Sequence, residues 1–147
     1  MSLPNIAAVL YNNPGDVSLP IAGWPTDAAH GVPIQGIPGQ PNYGHFPTMK
    51  IGWAAFQQRL KSYIAEGLPP RVGPMNTIRK IGAHYATATA WPEDVAKYSG
   101  IPIDAPLSES NAAQIAALSK GILRIETSTT LAQWMASPQW DPKDAEA

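Results

Sequence analysis

Half of the sixteen prolines and half of the twelve glycines in this 147-residue chain stand before Met49. A proline ring fixes φ and removes a backbone donor, so a stretch punctuated this densely holds no long helix. Residues 1–47 are therefore expected to form an irregular but ordered arm. Asn12-Asn13-Pro14-Gly15-Asp16 is a dense turn signal: Asn tolerates left-handed angles, Pro presets φ and Gly supplies positive φ. Val32 to Gly39 suits a short extended piece that its prolines confine to a sheet edge. Trp24, Tyr43 and Phe46 speak against disorder, because disordered tracts are poor in aromatics.

Beyond Pro47 the pattern changes to helical periodicity. Thr48 is placed to cap a helix with Trp53, Phe56, Leu60, Tyr63 and Ile64 on its apolar face, ending at Gly67. Asn76 is the expected cap of a shorter helix carrying Ile78, Ile81 and Tyr85. Pro92-Glu93-Asp94 makes a first turn whose helix stops at Gly100, and the two acids there have a sufficient role as partners of the helix dipole. Ser108 or Ser110 is expected to cap a longer helix over Ala112 to Glu126. Leu131, Trp134 and Met135 mark a last short one, closed by Pro138. The expected architecture is mainly α: four to five helices over residues 48–137, behind the arm and before a loose tail at 138–147.

Composition removes several function classes. A net charge of −1 with scattered Lys and Arg argues against nucleic-acid binding. Charged residues make up only 14% of the chain, against about 25% typically. With no cysteine there is neither a disulfide framework nor a thiol nucleophile. No apolar run approaches the ~20 residues of a membrane span, and the N-terminus lacks a signal-peptide plan. Synthesis in the cytoplasm without a signal peptide is the resulting expectation. His30, His45 and His84 show no metal-ligand spacing, and neither a phosphate loop, a dinucleotide fingerprint nor a G-x-S-x-G elbow is present. The expectation is no metal and no cofactor.

Carboxylate chemistry survives this elimination. In Ala112 to Glu126, Ile115, Leu118, Ile122 and Ile125 form the apolar stripe of a helix, and Glu126 follows its last member. Thr127-Ser128-Thr129-Thr130 then breaks the pattern. An acid at such a place can have a raised pKa, as cleavage of a glycosidic bond near neutral pH requires. A solvated last-turn residue is the plainer explanation. Asp16 and Asp27 in the arm are the further candidates, and Asp16 equally has a role in capping its own turn.

Five segments, taken in order, resemble a family of small phage-encoded virion structural proteins. They are N-N-P-G at Asn12 to Gly15, F-x-x-x-x-x-G-x-x-A at Phe46 to Ala55, N-T-I-R-K-I at Asn76 to Ile81, Y-S-G-I-P-I-D-A-P-L at Tyr98 to Leu107, and A-L-S-K-G-I-L-R-I-E at Ala117 to Glu126. The family pattern runs R-N-N-N-P-G-N-I, a helix entered by F-x-x-P-x-x-G-I-x-A, an I-x-x-W-A-P segment and a helix ending A-I-x-x-x-E-N-G. The likeness spans roughly residues 10–130 and lies in the order of the motifs rather than in any one. Leu10 and Tyr11 stand where the pattern has Arg and Asn, Asp16 replaces an Asn, Tyr85 replaces the Trp, and Thr127-Ser128 replace Asn-Gly.

That family is similar in turn to lysozyme-like peptidoglycan hydrolases, the soluble lytic transglycosylases and glucosaminidases, with the acid helix and the Asn turn in permuted order. The resemblance implies a lysozyme-like helical domain in a virion-associated glycan-strand hydrolase or lytic transglycosylase acting at the bacterial cell wall. Glu126 is then the expected general acid, its pKa raised by Ile122 and Ile125. Asp16 activates a water if the reaction is hydrolytic and inverting, while participation of the substrate's own N-acetyl group makes a second carboxylate unnecessary. Asn12, Asn13, Tyr43 and Tyr85 are the expected sugar-binding residues, and the partners are glycan strands and other virion proteins. The alternative is a non-enzymatic virion component anchored by its N-terminal arm. The enzymatic expectation has a geometric condition: the Asn12–Asp16 turn must pack against the C-terminal end of the Glu126 helix in a concave surface.

Overall fold

The computed structural model describes residues 3–67, 73–85 (Tyr85 by its backbone alone) and 90–142. The chain is mainly helical, with a small antiparallel sheet of two strands. The elements run α1 (Ala7–Leu10), β1 (Val32–Ile34), β2 (Tyr43–His45), α2 (Met49–Glu66), α3 (Ile78–Tyr85), α4 (Ala90–Ser99), α5 (Ala112–Thr127) and α6 (Leu131–Met135). The short α1 carries no periodic signal long enough to be read from the sequence.

The central helix α2 begins and ends where its sequence dictates. Thr48 accepts the Ile51 N–H at its start, and Gly67, at φ 81°, closes its end with an N–H to the Tyr63 carbonyl. Two of the expected caps shift by a residue or more. Helix α3 begins at Ile78, so the hydroxyl next to it, on Thr77, takes the Lys80 N–H, while the Asn76 carbonyl accepts from Leu107. Asn111 caps α5 by accepting from Gln114 N, and Ser108 and Ser110 hydrogen-bond each other in the preceding turn. Thr130 and Gln133 form a reciprocal capping box on α6.

Helices α4 and α5 pack against one another most extensively, and α2 lies across α5. Gly121 allows the close approach of α4 and α5, since a Cβ there would lie 3.1 Å from both Ser99 Cβ and Val95 O. Phe56, Leu60, Ile78, Ile81, Val95, Leu118, Leu123 and Trp134 are fully buried between these helices. Burying such side chains contributes on the order of 2 kcal/mol each.

The arm is part of this core. Ala8, Val17, Ile21 and Phe46 belong to the same buried cluster as the helical residues. Trp24 is partly buried and meets Phe46 edge-on, with ring centroids 6.4 Å apart. The sheet pairs Val32 with His45, Pro33 with Gly44 and Ile34 with Tyr43, and Val17 adds its carbonyl to Gly44 N at 2.8 Å. Side chains of α2 also hold the arm's irregular backbone: Gln58 Nε2 donates to Ala22 O, and Arg59 Nη2 donates to Ser18 O and Pro20 O.

Within the expected loose tail, residues 139 and 140 are hydrogen-bonded to the start of α2. The carbonyls of Gln139 and Trp140 accept from Met49 N and Lys50 N, the otherwise orphaned donors of the first turn of α2. Gln139 Nε2 also donates to Val9 O and Asn12 Oδ1, joining the two ends of the chain. Among the described residues no helix is long and apolar enough to cross a membrane.

Candidate active site

The Asn12–Asp16 turn is built as its sequence suggests. Asn12 and Asp16 take left-handed φ values of 54° and 50°. Gly15 sits against the Phe56 ring, where a Cβ would lie 2.2 Å from Cγ, and a Cβ on Gly52 of α2 would lie 1.8 Å from the Asn12 carbonyl oxygen. Two glycines, one on each side, thus let the turn lie directly on α2.

At the other end of the site, Ser128 ends α5 in a left-handed conformation with its N–H on Arg124 O. Thr127 is buried and donates to Leu123 O at 2.7 Å, and Thr129 accepts the Trp134 indole at 2.6 Å. The small polar run after Glu126 therefore terminates the helix and leaves Glu126 exposed at its end. Trp91 Nε1 donates to Glu126 Oε1 at 2.8 Å.

Gly15 and Asp16 from the turn and Glu126 from α5 line one cavity of about 510 Å³, together with Val17, Ser18, Gly39, Gln40, Arg59, Tyr63 and His84. A cavity of this size is in the range that holds a small ligand. Gly15 and Asp16 are the residues of the Asn12–Asp16 turn that line this cavity.

The environments of the two carboxyls are unlike. Asp16 is half-buried, and loss of water pushes its pKa up, partly opposed by a 2.6 Å hydrogen bond from the Tyr43 hydroxyl to its Oδ1. Glu126, which the sequence places between apolar neighbours, instead stands exposed: Ile122 is buried beneath it and Ile125 partly so. The carboxyl that burial holds toward its protonated form is thus Asp16.

The expected sugar-binding residues divide three ways. Asn13 is fully buried and spends its side chain on the backbone: Nδ2 donates to Val17 O and Gly44 O, and Oδ1 accepts from Val17 N. Asn12 Nδ2 donates to the Phe46 and Pro47 carbonyls. Both asparagines hold the turn and neither lines the cavity, because carbonyls freed by irregular backbone need side-chain donors. Tyr43 is 1% exposed and stands behind Asp16, with burial and the neighbouring Asp16 raising its own pKa. The side chain of Tyr85 lies outside the described residues.

The cavity holds residues that sequence reasoning passed over. Arg59 and Tyr63 are i and i+4 on α2, with Arg59 Nη1 to Tyr63 Oη 3.3 Å, and Tyr63 Oη lies 3.3 Å from His84 Nε2. Burial and then the Arg59 charge lower the pKa of His84 and so disfavour its charged form. The i,i+4 spacing was the available signal for Arg59 and Tyr63; His84 had none. Among the described residues no cluster of three or more His, Cys, Asp or Glu is placed to hold a metal ion. No protein-family model matches this chain, and no curated protein matches it.

Proposed function

We propose that this chain is a virion-associated phage enzyme with a lysozyme-like helical domain that cleaves peptidoglycan glycan strands. The observation that carries the reaction class is the cavity shared by Asp16 and Glu126, two carboxyls in contrasting environments from opposite ends of the chain. Pairs of this kind divide the acid and base roles of glycoside cleavage. The phage and cell-wall assignments are supported by the order of the five motifs alone.

The roles run opposite to those expected from the sequence. Asp16, whose proton burial helps to retain, donates it from its protonated form to the leaving glycosidic oxygen as the C–O bond breaks. Glu126, oriented by the Trp91 indole, takes the proton of the attacking water in a hydrolytic reaction. Where the substrate's N-acetyl oxygen attacks instead, Glu126 has only to stabilise the positive charge developing on the sugar. Removing either carboxyl should cost roughly 10²–10⁴-fold in rate. The test is turnover of purified peptidoglycan by the wild type, Asp16→Asn and Glu126→Gln. Equal activity of all three ends the enzymatic assignment.

A non-enzymatic virion component is favoured by one observation: the side chains of Asn12 and Asn13 serve the backbone rather than the cavity. On this reading the N-N-P-G motif is a folding element. Wild-type chain that is inert on peptidoglycan but incorporated into particles would select it.

A further inference from the structure

Arg59 lines the cavity without an ion-pair partner among the described residues. Three of its five N–H donors are used, by Ser18 O, Pro20 O and Tyr63 Oη, and all three acceptors are neutral. Among the described residues the ion pairs are Asp27–His30, Lys50–Asp141 and Arg79–Asp104, and no carboxylate stands within ion-pair distance of Arg59. Glu126 shares the cavity but lies beyond that distance. Carbonyl oxygens fix a guanidinium without cancelling its charge, so what is left is a held cation with two N–H groups unspent.

A second observation comes from the same walls. Gln40 lines the cavity, and its Oε1 is the buried side-chain acceptor that has no hydrogen-bond partner among the described residues. A buried acceptor left unpaired is costly, and a ligand donor relieves it. The cavity thus presents a held cation outside any ion pair and a buried acceptor without a donor.

We infer that the site takes a glycan whose sugar carries a free carboxylate, with Arg59 binding that carboxylate and Gln40 accepting from a neighbouring N–H or hydroxyl. This rests on the glycosidase reading of the same cavity and adds the substrate class to it. Charged Arg79 is spent on Asp104 at 2.8 Å and does not line the cavity, so the preference is assigned to Arg59.

The experiment measures binding rather than turnover. Glycan oligosaccharides freed of stem peptides carry exposed lactyl carboxylates, and reduction of those carboxyls to alcohols gives the neutral counterpart. Both are titrated calorimetrically into the full chain bearing Glu126→Gln. The acidic form should bind about tenfold or more tighter, the range expected of one charge-assisted contact. Arg59→Met should remove the preference, Arg59→Lys should retain part of it, and Gln40→Leu should weaken both forms alike. Because Arg59 also holds the arm, the comparison of the two glycans on unaltered Arg59 decides the matter if Arg59→Met fails to fold. Equal affinity for the two glycans, no binding of either, or a preference that survives in folded Arg59→Met overturns the inference. A preference without turnover by the wild type would defeat the glycosidase reading and leave this one standing.

Discussion

The Tyr43 hydroxyl donates a 2.6 Å hydrogen bond to Asp16 Oδ1. One residue ends a strand pairing and the other ends a turn, so the contact joins the sheet to the cavity wall. Its effect opposes that of burial: desolvation raises the Asp16 pKa, and the phenol lowers it by stabilising the ionised carboxylate.

Tyr43→Phe removes the lowering influence and keeps the aromatic packing. Asp16 should then hold its proton to higher pH. If Asp16 is the general acid, the alkaline limb of the pH–rate profile moves up in Tyr43→Phe. A profile that stays in place, or moves down, would separate Asp16 from the proton transfer.

The same burial makes a stability prediction. A carboxyl whose folded pKa is raised contributes stability below its unfolded pKa and loses it as pH rises through the folded value. Above its folded pKa the fold carries an ionised Asp16 in a poorly hydrated place, a cost that Asp16→Asn removes. Asn also suits the left-handed φ of 50° and can accept from Tyr43. The melting temperature of Asp16→Asn relative to the wild type should rise as pH climbs through the raised folded pKa, and the difference should shrink as pH falls toward and below the ordinary carboxylate range. A gap that widens on acidification would contradict the raised pKa.

Gly52→Ala tests how the turn is seated. Its Cβ would lie 1.8 Å from Asn12 O, a backbone atom that cannot swing aside. Helix or turn must move, at a cost of about 1–3 kcal/mol or more. Urea denaturation should show that loss, and cleavage of peptidoglycan should fall further than stability alone accounts for, because Asp16 moves with the turn. Unchanged stability would mean that the turn does not rest on α2.

Deleting residues 1–40 addresses the arm. Ala8, Val17 and Ile21 would leave the core, and the partners of Gln58 and Arg59 would go with them. The shortened chain should lose its cooperative thermal transition. Retention of helical circular dichroism with a wild-type melting temperature would instead mark residues 48–137 as able to fold alone.

How much of this was legible in the sequence follows from the range of the forces involved. Thr48 and Gly67 bound α2, and Ile115, Leu118 and Ile122 face the core, because capping and 3.6-residue periodicity are local properties. The turn at Asn12–Asp16 was legible for the same reason. Caps displaced by a residue, at Thr77 and Asn111, mark the limit of local reading, since several polar residues there compete for one end. What only the tertiary structure decided is the site itself. Whether a carboxyl loses water depends on what folds over it: Asp16 is enclosed by strand, turn and α2, while Glu126 is left in solvent by the run that ends its helix. Asn13 was an expected sugar-binding residue by the resemblance, whereas the distant carbonyl of Gly44 that occupies its side chain is invisible in the sequence. Arg59 is the reverse case, an ordinary surface cation by its position in α2 whose charge acquires meaning only where the arm folds back to hold it.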